Sequence, residues 1–538
     1  MRKTVYGNII LLVVFITAIG CKDREQSSKK SGDEELGPTA YSKKEGYRPN
    51  FHFTPNKGWM NDPNGMFYFD GNYHLYFQHY PDSTVWGPMH WGHAISKDMV
   101  TWKEMPIALF PDELGYIFSG SAVVDKDNTS GFGKEGKIPI IAIYTSHDPK
   151  KEKAQKIDVE TQSIAYSLDN GTTWTKYGNN PVIHNPGARD FRDPKVSWNK
   201  ESKRWTMVVA AGKEVMFYTS KDLRTWELAS TFGDGVGSHG GVWECPDLFP
   251  LKVMGTEEEK WVLLVSINPG GPNGGSAAQY FVGDFDGTNF TLDKNFKDLL
   301  GQNEQFWVDY GRDNYAGVTW SNKTTSEGGV LHIGWMSNWM YANEVPTDSW
   351  RSATTIAREL KLKKADGSYR LVASPVKELE NYRGTSRTLD KVSVNGETNL
   401  FGSEEIDLAR AEIRFEISDM DSKGFRFTLS NKNGDELVFG YDNKDKMFYI
   451  NRTKSGKTNF SKRFADRISK APRTSDDQHL NGTIFLDKTS IELFYDEGET
   501  VLTEIFFPNE PFETFSINSE DDAFVLDHIE AYNLNLNY

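Results

Sequence analysis

Cysteine is nearly absent: Cys21 and Cys245 are the only two among 538 residues. Cys21 falls in a segment that reads as a lipid-attachment signal, so no intramolecular disulfide is expected. Stability outside the cytoplasm must then come from a large core, which a chain of this length can build. A basic excess is also missing. Lys and Arg number 61 against 76 Asp and Glu, for a net charge of −15. Phosphate recognition needs a basic face, so nucleic acid is excluded as a partner. The apolar run "IILLVVFITAIG", Ile9 to Gly20, is too short to span a bilayer comfortably. Long amphipathic helical patterns do not occur, which leaves an all-β chain.

What is present begins with a targeting segment. Arg2 and Lys3 precede the apolar run, which ends in "AIGC", Ala18 to Cys21. This fits a signal peptide over 1–20, with Cys21 as the lipid-bearing residue of a bacterial membrane-anchored lipoprotein at the outer membrane or cell surface. Residues 21–48 are polar and charged, without apolar periodicity, and read as a flexible tether. Residues 49–372 show short strands divided by turns. "MFYFDGNYHLYFQHY" predicts a hairpin turning at Asp70–Gly71–Asn72. A degenerate repeat runs through "SKDMVTW", "SLDNGTTW", "SKDLRTW" and "GDFDGTNF". Its spacing of roughly 50 to 70 residues suits a four-stranded propeller blade. Asp would cap backbone N–H groups in each turn, and Trp would pack between blades. About five blades fill this region. Residues 373–384, "ASPVKELENYR" onward, read as a helical connector, and 385–538 as a β-sandwich.

Three carboxylates sit in unusual settings: Asp62 in "WMNDPNG", Asp193 in "FRDPK" and Glu244 in "WECPDLF". Proline fixes the chain beside each and suits a rigid rim rather than a mid-strand position. Cleaving a glycosidic bond needs one carboxylate at the anomeric carbon and one protonated acid at the leaving oxygen, the latter with its pKa raised by burial or nearby anions. The 15 Trp residues suit a sugar-binding surface. No cofactor is called for. A zinc site at His90 and His93, with His74 and His79 near, is not expected, because strand residues three apart point to opposite faces.

The three motifs, in this order, resemble the signature motifs of glycoside hydrolase family 32, the invertases, inulinases, levanases and related β-fructofuranosidases. "HLYFQHYP", "WGPMHWGHA", "FSGSAV", "GWM" and "SPVKEL" extend the resemblance. It implies a five-bladed β-propeller followed by a β-sandwich. It also implies Asp62 as nucleophile, Glu244 as general acid and base, and Asp193 as stabiliser of the cationic transition state, oriented by Arg192. Trp59, Met60, Asn61, Gln78, Trp86, Phe118, Ser119 and Trp335 match positions shaping a fructose pocket. The implied substrate is a fructan or fructo-oligosaccharide, with exo release of fructose favoured over endo cleavage. Two other readings stay open at this point: an arabinan- or xylan-cleaving propeller enzyme that inverts configuration, and a non-catalytic surface glycan binder.

Overall fold

The computed structural model describes residues 46–302, 305–365, 367–420, 424–520 and 522–536. The signal peptide, Cys21 and all but the last residues of the tether lie outside the described residues. Among those described, no helix is long and apolar enough to cross a membrane.

Up to Pro375, strands are grouped in four-stranded antiparallel units, each a meander of sequence neighbours. The innermost strand of each is numbered here: β1 (Gly58–Phe69), β2 (Tyr116–Val124), β3 (Phe191–Asn199), β4 (Val242–Lys252) and β5 (Tyr315–Thr324). β1 touches β2, β2 touches β3, and so on round to β5, which returns to β1. A short parallel pairing, Phe67 to Ser321, fastens the last unit to the first. This is propeller geometry, with the five numbered strands around the axis.

Local sequence explains the units. Asp70 (φ 49°) and Gly71 (φ 74°) both adopt the left-handed region, the requirement of a two-residue hairpin turn matching strand twist. The repeat forms the turn between third and fourth strands in four units, as Ser-x-Asp in three and as Asp284-Phe285-Asp286 in the fourth. Asp98 Oδ1 accepts from the Val100 and Thr101 amides at 2.9 Å, Asp222 Oδ1 from Arg224 and Thr225 at 2.9 and 2.7 Å, and Asp286 Oδ1 from Thr288 and Asn289 at 2.8 and 2.7 Å. Asp169 Oδ1 accepts from Thr173 at 2.9 Å. Aromatics following these turns reach neighbouring units: Trp102 stacks on Trp320, and Trp174 meets Tyr76 edge-on.

The sequence pattern placed proline outside strands, and here the structure differs. Pro63, Pro194 and Pro246 lie within β1, β3 and β4. They are tolerated because strand pairing is interrupted at Pro194 and Pro246 and directly before Pro63. Every innermost strand carries a bulge near its start: at Asp62 in β1, Phe118–Ser119 in β2, Asp193–Pro194 in β3, Cys245–Pro246 in β4 and Ala316–Gly317 in β5. An unpaired bulge residue needs no ladder donor, so the missing N–H of Pro194 and Pro246 costs nothing there.

The link to the second domain is shorter than the sequence pattern implies. Residues 373–375 finish strand Ser368–Pro375, paired to Arg358–Ala365, and only Lys377–Tyr382 is helical, as a 3-10 turn. Beyond it, two six-stranded antiparallel sheets pack face to face around an apolar core that includes Phe415, Phe427, Phe439 and Phe515.

Buried charges join the two domains. Arg358 donates to Asp309 of the propeller and Glu492 of the sandwich. His52 lies between Asp487 and Glu492, 2.8 Å from each. Burial alone would lower the His52 pKa, but the two carboxylates outweigh it and lift it to about 9. Arg452 of the sandwich reaches Asp313 and the Tyr341 hydroxyl of the propeller.

Candidate active site

A cavity of about 580 Å³ opens where the innermost strands begin. Asp62, Asp193 and Glu244 all line it, brought together from β1, β3 and β4. The bulges explain why. An inserted residue turns the local strand and re-aims its side chain; Asp62 and Asp193 are such residues, and Glu244 directly precedes the bulge of β4. Asp193 (φ 66°) and Cys245 (φ 46°) are held in the left-handed region to achieve it.

Asp62 is fixed through one oxygen. The Ser119 hydroxyl donates to Oδ2 at 2.7 Å, while Oδ1 is buried without a well-formed hydrogen bond. Burial raises its pKa, the Asn61 amide and Ser119 oppose that, and the Glu244 charge adds to the rise. Asp193 Oδ2 accepts from the Cys245 amide at 3.0 Å, and the Cys245 thiol lies 3.5 Å from Asp193 Oδ2 and 3.6 Å from Asp62 Oδ2. Burial lifts the Asp193 pKa to about 7; Arg192 opposes the rise, and Glu244 and Asp62 reinforce it. Glu244 is gripped from two sides. Arg192 donates to Oε1 from Nε (3.2 Å) and Nη2 (2.9 Å), and the Tyr315 hydroxyl donates to Oε2.

Asn61, Gln78, Trp86, Phe118, Ser119 and Arg192 also line the cavity. Gln78 is buried with its Nε2 donor unpartnered, free for a ligand hydroxyl. Trp86 lies edge-on to Phe118, with ring centroids 6.1 Å apart. Trp59, Met60 and Trp335 are placed elsewhere: all three are fully buried behind the wall. Trp59 donates from Nε1 to Asn61 Oδ1 at 2.7 Å, and Trp335 packs against Trp339, which does face the cavity.

The sequence motifs did not point to Trp339, Tyr315, Glu160, His147 or Asp190. Trp339 had a signal, being the second Trp of "GWMSNWM". Tyr315 and Glu160 had none, because each enters from a unit without a motif acid.

His74, His79 and His93 are buried in β-structure, and burial lowers their pKa values to about 4, 4 and 3. His74 Nδ1 lies 3.1 Å from His93 Nε2. Among the described residues no group of three His, Cys, Asp or Glu side chains is arranged to hold a metal ion.

Comparison with known proteins places this geometry. The glycosyl hydrolases family 32 N-terminal domain profile matches residues 52–375, and the family 32 C-terminal profile matches 378–533. A levanase of Bacillus subtilis (strain 168) is 48% identical over 511 residues, spanning 95% of this chain and 72% of that protein. An extracellular exo-inulinase of Aspergillus niger is 40% identical over 500 residues, spanning 87% and 91%. Among solved structures, exo-inulinase from Aspergillus awamori superposes with a TM-score of 0.82 at 37% identity, covering 93% of this chain and 100% of that one. A β-fructofuranosidase from Schwanniomyces occidentalis, complexed with fructosyl-erythritol, gives 0.80 at 35% identity, covering 91% and 98%. Matched along both domains, the chain belongs to glycosyl hydrolase family 32 and is a glycosidase acting on fructans.

Proposed function

We propose that the chain hydrolyses terminal β-D-fructofuranosyl linkages with retention, releasing fructose from the chain end. The observation that carries this reading is one cavity bearing a carboxylate with a free oxygen, Asp62, opposite a carboxyl held by Arg192 and Tyr315, Glu244.

In the first step Asp62 attacks the anomeric carbon. The bond from that carbon to the leaving oxygen breaks, and the Glu244 carboxylic proton moves to that oxygen. In the second, Glu244, now a carboxylate, takes a proton from water. The water oxygen bonds to the anomeric carbon, and the ester bond to Asp62 breaks. Ser119 holds Asp62 in place, which matters because effective molarity depends on near-attack geometry. Asp193 binds sugar hydroxyls. Its charge is costly in the free site and is matched only as the fructosyl centre becomes cationic, so it favours the transition state over the ground state.

Replacing Asp62 or Glu244 by Ala tests the assignment. Glu244→Ala should lose about 10²–10⁴-fold in turnover, with partial rescue by azide, and Asp62→Ala should lose at least as much. Full activity in either variant overturns it. Exo action is supported by the exo-inulinase relatives and predicts fructose alone early in a time course on levan and inulin. An early oligomer ladder would make the enzyme endo-acting. Anchoring through Cys21 is part of the proposal, supported by "AIGC" after the apolar run. Palmitate label that persists in Cys21→Ser would refute it.

A further inference from the structure

Arg192 does not serve Glu244 alone. While Nε and Nη2 face Glu244, Nη1 donates to Glu160 Oε1 at 3.1 Å and to Asp190 Oδ1 at 2.8 Å. Glu160 begins the strand Glu160–Ser167 of the second unit, which holds none of the three acids. It is buried, and its Oε2 accepts from the Phe191 amide at 3.2 Å, fixing it against the start of β3. His147 Nδ1 approaches the same Oε1 at 3.4 Å, and His147 Nε2 reaches Glu152 at 3.1 Å. Burial alone would raise the Glu160 pKa, yet His147 and Arg192 hold it below the usual range, so it carries a charge.

A guanidinium pressed onto a carboxylate favours its anion. That opposes the first chemical step, in which Glu244 must hold a proton to give away. We infer that Glu160 is a positioning residue for the acid step: by sharing Arg192 it draws the guanidinium charge off Glu244, leaving the latter able to carry the proton the leaving oxygen needs. Asp190 shares the same nitrogen and acts in the same direction, more weakly because it is more exposed. The other groups facing Glu244 are the Tyr315 hydroxyl, Asp62, Asp193 and the Cys245 thiol. None of them competes for Nη1.

The inference rests on Glu244 being the acid, so the test carries that control. Glu160→Gln keeps shape and removes charge. Two substrates separate acid catalysis from architecture: a fructo-oligosaccharide, whose alkoxide leaving group needs a proton, and an aryl β-D-fructofuranoside with a good leaving group, which does not. Glu160→Gln should lower kcat on the oligosaccharide about tenfold and leave the aryl substrate within about twofold. The alkaline limb of kcat/KM on the oligosaccharide should move about one pH unit lower. Asp190→Asn, at a half-exposed position where folding is not at risk, should move the limb the same way by less. Parallel losses on both substrates, or an unmoved alkaline limb in both variants, overturn the inference. Glu244→Ala run alongside must lose kcat/KM, which reports the first step alone, far more on the oligosaccharide than on the aryl substrate. If it does not, the assignment of Glu244 fails rather than the role of Glu160.

Discussion

Asp193→Asn should make the protein more stable while destroying its activity. The parent carboxyl has its pKa lifted from 3.8 to about 7 by burial and by the neighbouring carboxylates. Each unit corresponds to 1.36 kcal/mol of unfavourable interaction for the charged form, so ionised Asp193 costs on the order of 4 kcal/mol. The pH window follows from the direction of the shift. Below pH ~4 the carboxyl is neutral in folded and unfolded chains, and the cost is absent. Between pH ~4 and ~7 the unfolded chain loses its proton first, so folded stability falls by about 1.4 kcal/mol per unit. Above pH ~7 the full cost is in place. Asn removes the charge, still accepts from the Cys245 amide, and tolerates the left-handed φ of 66° found there. For a folded unit of this size 1 kcal/mol is worth roughly 1 °C, so Tm should rise by about 4 °C at pH 7.5 and not at all near pH 4. Thermal unfolding of both proteins across pH 4–8 measures it. An Asn variant no more stable than the parent at pH 7.5, or a difference constant across the range, would refute the reasoning that charge burial is what the site stores.

Other expectations follow from the same contacts. Ser119→Ala removes a hydrogen bond to an ionised carboxylate, worth about 1.5–3 kcal/mol. With burial no longer opposed by Ser119, the acid limb of kcat/KM should move to higher pH, and an unmoved limb would show that Ser119 does not govern Asp62. Trp339→Ala strips a wall from the cavity and should raise KM roughly tenfold with a smaller change in kcat; steady-state kinetics on a fructo-oligosaccharide decides. His52→Ala leaves Asp487 and Glu492 buried short of a cation and should cost about 3–5 kcal/mol near neutral pH. Because the His52 pKa is raised to about 9, its contribution is complete below pH ~6.5 and lost as pH climbs through about 9. Denaturation of parent and variant at pH 7 and pH 10 should therefore show a smaller gap at the higher pH.

Much of the fold was readable because it is written in local chemistry. An Asp two residues past a Ser caps its own turn, and an Asp–Gly pair bends a hairpin, wherever the chain later goes. The three motif acids were legible for the same reason, each lying in a short peculiar run. What could not be read depends on closure of the ring. Tyr315 meets Glu244 only because β5 lies beside β4, and Glu160 meets Arg192 only because the second unit lies beside the third. The misplaced prolines have a related cause. A strand with proline looks broken in one dimension, whereas the bulges that excuse it are properties of paired strands. Trp335 and Trp59 match pocket positions by motif, but a Trp buried behind the wall and a Trp on its face share the same letters; only packing sorts them.

The charges shared between propeller and sandwich bear on how such an enzyme can be engineered. Removing the sandwich would strip His52 of Asp487 and Glu492, Asp313 of Arg452, and Arg358 of Glu492, leaving Arg358 with Asp309. The three cavity acids all lie upstream of that cut, yet the propeller left behind would keep buried charges whose partners are gone, at a cost of several kcal/mol.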